Sequence, residues 1–308
     1  MIEMEKGTFR SVTGQRLDRR LWRPEGEPRA VVQLVHGMAE HIDRYDAPAR
    51  ALAEAGFAVV GHTHLGHGPK ADLKGHFGDE HGWANLVEDV HALRLQTQAF
   101  FPGLPYFILG HSMGSFVTRC YLMDHGEGLA GAILSGTGYF APAMVKAALA
   151  AANLVCLFGG ARKPSALIDK LAFGASNKAF APARTPFDWL SRDEAQVDKY
   201  IADPNCGFLF TGSGYREMFR GLNRLNRLGD LKRMNPDLPV LFFSGDHDPV
   251  GSMGKGVNRV AEQFRAAGLH NVSVHLYPEG RHEMFNELNG EDVYADVVVW
   301  LNHQLEEL

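Results

Sequence analysis

Short runs of apolar residues alternate with longer amphipathic segments along the first half of the chain. Residues 30–37 (AVVQLVHG) and 57–63 (FAVVGHT) are rich in β-branched side chains, which is typical of buried strands. Between them, residues 43–56 carry apolar and alanine positions at helical spacing and close on a glycine. A strand, a helix and a second strand in this order predict two parallel strands joined by a crossover helix.

The same alternation continues to residue 136 and resumes at residue 239. At the N-terminus, the segments TFRSV and RLDRRLW flank Thr13 and Gly14, which predicts a β-hairpin. The remaining predicted strands are 106–112, 130–136, 239–246 and 271–277, and the remaining predicted helices are 83–100, 113–126, 255–267 and 291–306.

Residues 139–235 interrupt this alternation, because they are helical or irregular in pattern and contain no strand of the earlier kind. We therefore predict one α/β domain, built from residues 1–138 and 236–308, with a mainly helical insertion at 139–235. The strand–helix repeats predict a mostly parallel central sheet with helices on both faces.

Composition and charge indicate the class of protein and the kinds of molecule that it can bind. The chain has 308 residues, of which 45% are hydrophobic and 22% charged, and its formal net charge is −5. These values are typical of a globular protein with a sizeable core. Since no block of basic residues stands apart from its acidic neighbours, we expect no nucleic-acid binding.

The cysteines and the apolar segments indicate where in the cell the protein is located and whether it inserts into a membrane. Cys120, Cys156 and Cys206 are three widely spaced residues, which fits neither a disulfide framework nor a zinc knuckle. The N-terminus has no apolar signal-peptide core. Residues 143–160 are the longest apolar stretch, but Lys146 and Asn153 break it, so we expect it to fall short of a spanning helix. We predict reduced thiols and a cytoplasmic protein without stable membrane insertion.

The strongest chemical signal is GHSMG, which fits the pattern G-x-S-x-G at Ser112. The motif directly follows a predicted strand and directly opens a predicted helix. That context is the nucleophile elbow, in which a sharp turn lifts the serine hydroxyl above the sheet. The structural alternative is a glycine-lined turn whose serine only caps the helix.

A nucleophilic serine needs a base, and the base needs an acid that orients it. In this type of fold they follow in the order serine, acid, histidine. FFSGDHDPVG offers Asp246 and Asp248 after a late strand, and we favour Asp248, two residues further into the loop. His282 follows Gly280 in the loop after the last strand and is the predicted base. The other late histidines are predicted to be surface or packing residues, namely His270, His275 and His303.

Two backbone N–H groups are needed to hold the oxyanion of a tetrahedral intermediate. Met113, which follows the serine, is predicted to supply one, and Met38 in the loop after the first buried strand is predicted to supply the other. Gly37 allows the backbone to approach the substrate closely. We expect Gly37 and His111 to contact the substrate.

Four segments together, HGMAEHIDRY, GHSMGS, GDHDPVG and GRHE, resemble the monoglyceride lipase and lysophospholipase group of the α/β-hydrolase superfamily. The resemblance covers nearly the whole chain and implies an α/β-hydrolase fold whose insertion is a cap that shapes an acyl pocket. It assigns the first oxyanion donor to the HG-x-x-EH-x-x-RY loop and the triad acid to Asp248. It implies a serine hydrolase of carboxylic esters that needs no cofactor. Two departures are Ser115, where a small glycine is usual, and Thr63, where an aspartate is usual.

The segment GHTHLGHG places His62, His64 and His67 in an H-x-H-x-x-H spacing. Imidazole is the commonest metal ligand, but metallo-β-lactamase-type sites have an aspartate where this chain has Gly66. Without a matching downstream set of ligands we predict no metal here. We expect a loop beside the pocket whose histidines are satisfied by hydrogen bonds.

The inserted segment is rich in large apolar side chains, which predicts a lipophilic tunnel, packing against the main domain, or both. They are Phe140, Met144, Leu149, Leu154, Val155, Leu157, Phe158, Phe173, Phe180, Phe187, Trp189, Phe208 and Phe210. The first helix of the insertion could also touch a membrane interface transiently. The acidic residues in the middle of the insertion are expected to form a solvated face, namely Asp193, Glu194, Asp198 and Asp203.

We therefore predict hydrolysis of monoacylglycerols, lysophospholipids or similar esters through an acyl-enzyme on Ser112. A peptidase, thioesterase or acyltransferase on the same triad stays open, and an aminopeptidase would need carboxylates facing the pocket. Ser112 excludes a dehalogenase, whose nucleophile is a carboxylate. A non-catalytic binding protein with this fold is the alternative from another class, and the oligomeric state is left open.

Overall fold

The computed structural model describes residues 2–308 and contains one eight-stranded sheet in the order β1-β2-β4-β3-β5-β6-β7-β8. The strands are β1 (Glu3–Arg10), β2 (Arg16–Arg23), β3 (Ala30–Val35), β4 (Phe57–His62), β5 (Tyr106–His111), β6 (Gly131–Ser135), β7 (Val240–Gly245) and β8 (Val272–Tyr277). The helices of the α/β repeats are α1 (Asp46–Glu54), α2 (Gly82–Phe100), α3 (Met113–His125), α9 (Lys255–Ala267) and α10 (Gly290–Glu306).

The predicted hairpin is confirmed: β1 pairs antiparallel with β2, and β2 pairs antiparallel with β4. The six strands from β4 to β8 along the sheet are parallel. Asp89 on α2 accepts hydrogen bonds from Ser11 Oγ (2.9 Å) and Val12 N (2.7 Å), so it fixes the hairpin turn to the main domain. The pairing of these strands also confirms the predicted, mostly parallel sheet.

Two apolar layers cover the sheet, one on each face. One layer includes Leu86 and Val90 of α2 and Val260 of α9, and the other includes Leu52 of α1 and Val297 of α10. The strands β3 to β7 are buried on both faces, which explains their nearly continuous apolar runs. The helices therefore lie on both faces of the sheet, as predicted.

Between β6 and β7 the described chain is helical apart from loops and one isolated bridge, Pro164 with Thr211. The helices are α4 (Pro142–Val155), α5 (Ala166–Phe173), α6 (Glu194–Ala202), α7 (Gly212–Arg224) and α8 (Leu228–Leu231). Helices α4 and α7 pack against each other. Beyond α4, the backbone leaves helical geometry at Phe158 and at Gly159, whose φ is +81°.

One helical stretch corrects an expectation from the sequence. Pro142–Gly160 has 19 residues and, by length and composition alone, is apolar enough to cross a membrane. From the sequence we expect Lys146 and Asn153 to exclude a spanning helix. They do not lower the mean hydropathy of the stretch enough to do so. Only 11% of this stretch is buried, so most of its apolar side chains face outwards. A single stretch of this kind is weak evidence for a membrane span.

Candidate active site

Ser112 lies in a sharp turn between β5 and α3, with φ +52° and ψ −121°. Two glycines allow this turn: a Cβ on Gly110 would lie 2.3 Å from Thr118 Oγ1, and a Cβ on Gly114 would lie 2.0 Å from Val35 O. A positive φ is costly for a residue other than glycine and is found where a rigid surrounding structure maintains it. The turn therefore has the geometry that the G-x-S-x-G motif predicts.

His282 and Asp248 meet at the carboxyl ends of β7 and β8. His282 Nδ1 lies 3.0 Å from both Asp248 Oδ1 and Asp248 Oδ2. Asp248 is fully buried and also accepts hydrogen bonds from Ser244 Oγ (3.0 Å) and Val250 N (2.8 Å). These hydrogen bonds fix the position of the Asp248 carboxylate, which in turn fixes the orientation of the imidazole ring.

The other candidate acid, Asp246, contacts a different histidine. Its Oδ1 lies 2.6 Å from Nδ1 of the exposed His247 and accepts a hydrogen bond from Glu279 N at 2.7 Å. Asp246 therefore braces the surface loop that precedes His282.

Burial alone lowers the pKa of His282, but the charge of Asp248 and its hydrogen bond outweigh this and raise the pKa above its ordinary value. The carboxylates of Glu283 and Glu40 add to the increase. The ring of His111 stands 4.9 Å from that of His282, centre to centre, and burial lowers its own pKa to about 4. A neutral His111 next to the candidate base leaves His282 as the group that takes up a proton near neutral pH.

Ser112 and His282 line the same cavity, whose volume is about 670 Å³. Within residues 2–308, no hydrogen bond joins Ser112 Oγ to His282. Such bonds are often long or poorly aligned until substrate is present. Ser112 is also half-buried and open to the cavity, so its hydroxyl is available to an incoming carbonyl group.

The loop after β3 approaches Ser112 closely. A Cβ on Gly37 would lie 2.7 Å from Glu40 Oε1 and 3.2 Å from Ser112 Cβ, so a larger residue here would crowd both side chains. Gly37, Met38, His111 and Met113 all line the cavity around Ser112. The structure therefore brings together every residue that the sequence suggested for the nucleophile, the base, the oxyanion donors and substrate contact.

A buried charged network, which was not predicted from the sequence, connects this loop to the loop that carries His282. Arg44 donates to Glu40 Oε2 (2.5 Å) and to both carboxylate oxygens of Glu283 (2.8 and 2.7 Å). Glu40 Oε1 in turn accepts from Gly37 N (2.5 Å) and from the Tyr45 hydroxyl (2.8 Å). A sequence signal existed, since Glu40 and Arg44 lie in HGMAEHIDRY and Glu283 in GRHE.

Side chains from the α4–α8 region complete the cavity. Leu190 O accepts a hydrogen bond from Glu283 N (2.7 Å), and the Trp189 ring lies 5.0 Å from the His282 ring. The structure divides the apolar residues that the sequence grouped together. Phe140, Met144, Phe173, Phe187, Trp189 and Phe208 line the cavity. Phe210 is fully buried in the core, and Leu154, Leu157 and Phe158 are exposed.

The three histidines of GHTHLGHG are buried in a cluster with His36, and one expectation about them is wrong. His64 N donates to His36 Nε2 (2.9 Å), and a ring nitrogen of His67 contacts Leu65 O (2.9 Å). We expected hydrogen bonds to satisfy all of these histidines, but neither ring nitrogen of His62 has a partner, and its ring lies 5.2 Å from the rings of both Phe9 and His64. Burial lowers the pKa of His62 to about 3.

A family model described as serine aminopeptidase, S33, matches residues 26–289, which is most of the chain. The chain belongs to the serine aminopeptidase S33 family.

Curated relatives of this S33 member carry lipase names. The monoacylglycerol lipase of Mycolicibacterium smegmatis is 30% identical over 297 residues, which is 96% of this chain and 95% of that protein. The monoglyceride lipase of Homo sapiens is 28% identical over 286 residues, which is 90% of this chain and 86% of that protein. The resemblance to the monoglyceride lipase group is thereby confirmed.

Solved structures agree with the fold. A thermostable carboxyl esterase from Bacillus coagulans superposes with a TM-score of 0.89 at 29% identity, covering 99% of this chain and all of that one. A monoglyceride lipase from Saccharomyces cerevisiae superposes with a TM-score of 0.75 at 21% identity, covering 98% of this chain and 96% of that one, which supports the fold alone. The S33 family member described here is an α/β-hydrolase-fold serine hydrolase.

Proposed function

We propose that this chain hydrolyses monoacylglycerols, with Ser112 as nucleophile, His282 as general base and acid, and Asp248 as the orienting carboxylate. The chain is a serine carboxylic-ester hydrolase, and the observation that carries the finer proposal is the composition of the cavity. Its walls are mostly apolar, and its three carboxylates, Glu40, Asp169 and Glu283, each accept a hydrogen bond from another side chain. The acyl chain of a monoacylglycerol therefore finds matching surroundings.

In the proposed reaction, Ser112 Oγ attacks the ester carbonyl carbon while His282 Nε2 accepts the hydroxyl proton. The N–H groups of Met38 and Met113 hold the oxyanion, and Gly37 leaves room for it. When the intermediate collapses, His282 gives its proton to the leaving glycerol oxygen. A water molecule then attacks the acyl-serine with His282 again as base, releasing the fatty acid and restoring Ser112.

Residues 139–235 are proposed to form the cap over this site, with residues 1–138 and 236–308 as the core domain. Helices α4, α5 and α7 contribute the apolar wall through residues such as Val145, Ile168 and Met218. The cavity volume of about 670 Å³ falls within the range of roughly 300–1,000 Å³ that is usual for small-molecule sites. The cap therefore provides most of the surface that an acyl chain would bury.

Exposed apolar side chains on α4 and in the segment that follows it support a transient contact with a lipid surface. Leu157 and Phe158 are 76% and 84% exposed, and Met144 is exposed while also lining the cavity. The apolar wall of the cavity thus continues onto the outer surface of the cap. We propose a cytoplasmic location for the enzyme, in keeping with three cysteines that form no disulfide.

An aminopeptidase is the second candidate, because the family description names that activity. It would need a carboxylate that is free to bind an N-terminal amine. Glu40 and Glu283 in the cavity are both bound by Arg44. The third cavity carboxylate, Asp169, accepts a hydrogen bond from the Tyr215 hydroxyl at 2.8 Å. This arrangement favours the ester.

The test compares hydrolysis rates on glycerol monoesters of increasing chain length, lysophosphatidylcholine, short thioesters and an aminoacyl amide. We expect the highest kcat/KM on one glycerol monoester length. Ser112→Ala should lower kcat by roughly 10⁴-fold, with a residual rate from binding and the oxyanion donors. A preference for the aminoacyl amide, or near-normal turnover by Ser112→Ala, would overturn the proposal.

A further inference from the structure

The carbonyl oxygen of Ala39, in the loop after β3, accepts two hydrogen bonds from the α4–α8 region. The Tyr200 hydroxyl, on α6, donates to it at 3.2 Å, and Gly207 N, in the loop after α6, donates at 3.0 Å. Ala39 directly follows Met38, whose N–H group is proposed to hold the oxyanion. A segment far along the chain therefore holds the backbone next to the proposed oxyanion donor.

Ala39 has a backbone conformation that needs such support. Its φ is +53°, in the left-handed region, and only 5% of the residue is exposed. The Cβ of an alanine makes this region unfavourable, so a residue stays in it only where surrounding contacts maintain it. The two hydrogen bonds to the Ala39 carbonyl group are contacts of this kind. Without them, the backbone would turn towards a negative φ, and the neighbouring peptide groups would turn with it.

The backbone on the other side of Met38 is fixed by the loop itself. Gly37 N donates to Glu40 Oε1 at 2.5 Å, and Glu40 is held in turn by Arg44. Met38 therefore lies between two anchored residues, Gly37 and Ala39. An oxyanion donor is effective only when its N–H points at the place where the negative charge develops. The direction of the Met38 N–H group thus depends on both anchors.

Tyr200 contacts the groups that fix both sides of Met38. Its hydroxyl binds the Ala39 carbonyl group, and the centre of its ring lies 4.8 Å from the guanidinium carbon of Arg44, which holds Glu40. Tyr200 is 7% exposed and lines the cavity. We propose that Tyr200 is a positioning residue for ester hydrolysis, which keeps the Met38 N–H group aimed at the oxyanion. This inference rests on the proposed function, and in particular on the role of Met38 there.

Two other roles for Tyr200 make different predictions. A residue that binds substrate through its hydroxyl would change KM, and a residue that only stabilises the fold would change the thermal midpoint alone. The hydroxyl proton is already donated to Ala39 O, and burial raises the pKa of Tyr200, so the hydroxyl stays a donor at neutral pH. This arrangement favours a role in positioning the loop over direct contact with the substrate.

The experiment measures how fast Tyr200→Phe hydrolyses a soluble nitrophenyl ester, a substrate that needs no lipid surface and no glycerol head group. This variant keeps the ring beside Arg44 and removes only the hydroxyl. Loss of one complete oxyanion donor costs roughly 10²–10³ in kcat. Since the Met38 N–H group stays present but loses its fixed direction, we expect kcat to fall by about 10- to 100-fold while KM is unchanged.

A transition-state analogue distinguishes positioning from a loss of stability. A trifluoromethyl ketone adds to Ser112 Oγ through its carbonyl carbon, and the oxyanion that forms needs the same N–H donors as the reaction. Its affinity for Tyr200→Phe should therefore fall by the same factor as kcat/KM. Tyr277→Phe is the matched control, because the Tyr277 hydroxyl donates to Asp296 at 2.9 Å and the residue does not line the cavity. Its kcat and its affinity for the analogue should equal those of wild type.

Ala39→Gly in the Tyr200→Phe background provides a second, independent test. Glycine adopts a positive φ without the strain that a Cβ imposes, so the loop no longer depends on the hydroxyl. We expect the double variant to recover most of the kcat that Tyr200→Phe loses. If Tyr200 only stabilised the fold, the glycine would give no such rescue, since it also makes the unfolded chain more flexible.

An unchanged kcat in Tyr200→Phe would overturn the inference. An increase in KM at constant kcat would do the same, because it would assign the hydroxyl to substrate binding, and so would the absence of any rescue by Ala39→Gly. Failure of the wild-type enzyme to cleave glycerol monoesters would overturn the proposed substrate and not this inference, since the nitrophenyl ester and the ketone report on the oxyanion donors without a glycerol group.

Discussion

At the scale of single residues, two aspartates two positions apart have opposite surroundings. Asp248 is fully buried against His282, whereas Asp246 lies at the surface with His247. Only the first can keep the His282 proton on Nδ1 and leave Nε2 free for the serine. The spacing of the loop and Pro249 favoured Asp248 from the sequence, and the buried contacts of its carboxylate give the physical reason.

Asp248→Asn should lower kcat by roughly 10⁴-fold, because the amide can donate to Nδ1 and so stabilise the wrong tautomer. Asp246→Asn is the matched control, and we expect it to change kcat less than about threefold. Steady-state hydrolysis of a soluble ester measures both. A large loss in Asp246→Asn with a small one in Asp248→Asn would reverse the assignment.

A second prediction concerns the pH dependence of the base. Since the pKa of His282 is raised, kcat/KM should rise with pH through a midpoint above the ordinary histidine value of about 6.5. Glu283 contributes to that increase, so Glu283→Gln should move the midpoint to lower pH. Rates at pH 8.5 should stay within a few-fold of wild type, because the glutamine still accepts from Arg44.

The pH–rate profile of kcat/KM for both proteins is the measurement. A purely structural role of Glu283 would lower activity equally at every pH and leave the midpoint unchanged. That outcome would contradict an electrostatic effect on His282.

The sequence predicted Ser112, Asp248 and His282 as the triad because each follows a predicted strand with a distinctive loop. It missed the Arg44–Glu283 pair, whose members are 239 positions apart along the chain. Their partnership depends on two loops that meet only in the folded sheet, at the shared carboxyl ends of its strands. Arg44 lies in HGMAEHIDRY and Glu283 in GRHE, but neither segment by itself shows that the two side chains form an ion pair with each other.

At the scale of secondary-structure elements, the predicted strands agree with the structure to within about two residues at each end, except that β1 begins at Glu3, five residues before the predicted segment TFRSV. The agreement is good because β3, β5 and β7 are buried on both faces and so carry uninterrupted apolar runs. The helix predicted for residues 43–56 begins later, since Ile42–Tyr45 forms a tighter 3₁₀ turn before α1. Periodicity alone does not distinguish that turn from the first turn of a helix.

The buried histidines at the end of β4 and after it should make the folded protein less stable in acid. The pKa of buried His62 is lowered to about 3, so the unfolded chain takes up this proton first as pH falls below about 6.5. Stability is therefore lost from pH 6.5 downwards to about 3, by up to about 1.4 kcal/mol per pH unit for this residue. His62→Leu should reduce by up to one the number of protons that the chain takes up on unfolding, and so reduce the slope of the free energy of unfolding against pH.

The free energy of unfolding in urea at pH 5, 6 and 7 provides the measurement. His303→Leu is the matched control, because that side chain is exposed on α10 and stays in water after folding. An unchanged slope in His62→Leu would show that this imidazole is protonated in the folded protein.

At the scale of the whole molecule, the arrangement of apolar side chains in the α4–α8 region could not be derived from the sequence. Phe187 and Phe208 line the cavity, Phe210 is buried in the core, and Phe158 faces solvent. All four are phenylalanines in irregular or short helical segments, so no periodicity separates them. The tertiary packing of these segments, which no local pattern encodes, determines which side each one faces.

The exposed apolar face gives a prediction about substrate presentation. Replacing Leu157 and Phe158 together by glutamate should lower the rate on emulsified long-chain monoesters at least tenfold. Burying one such side chain at an interface contributes about 1.5–3 kcal/mol, which corresponds to a tenfold or larger effect on partitioning. Neither residue lines the cavity, so the rate on a soluble short-chain ester should not change.

Val299→Glu on α10 is the matched control, since Val299 is 66% exposed on a helix outside the α4–α8 region. An equal loss on both substrates, or an equal loss in Val299→Glu, would argue against a specific lipid-facing surface.

One serine of this chain, Ser112, should become acylated during turnover. The most direct test reacts the folded enzyme with a fluorophosphonate and locates the adduct by peptide mass spectrometry. We predict a single adduct on Ser112, formed fastest when His282 is neutral and absent from Ser112→Ala. An adduct on another residue of wild type, or no reaction while the enzyme still cleaves esters, would contradict the account.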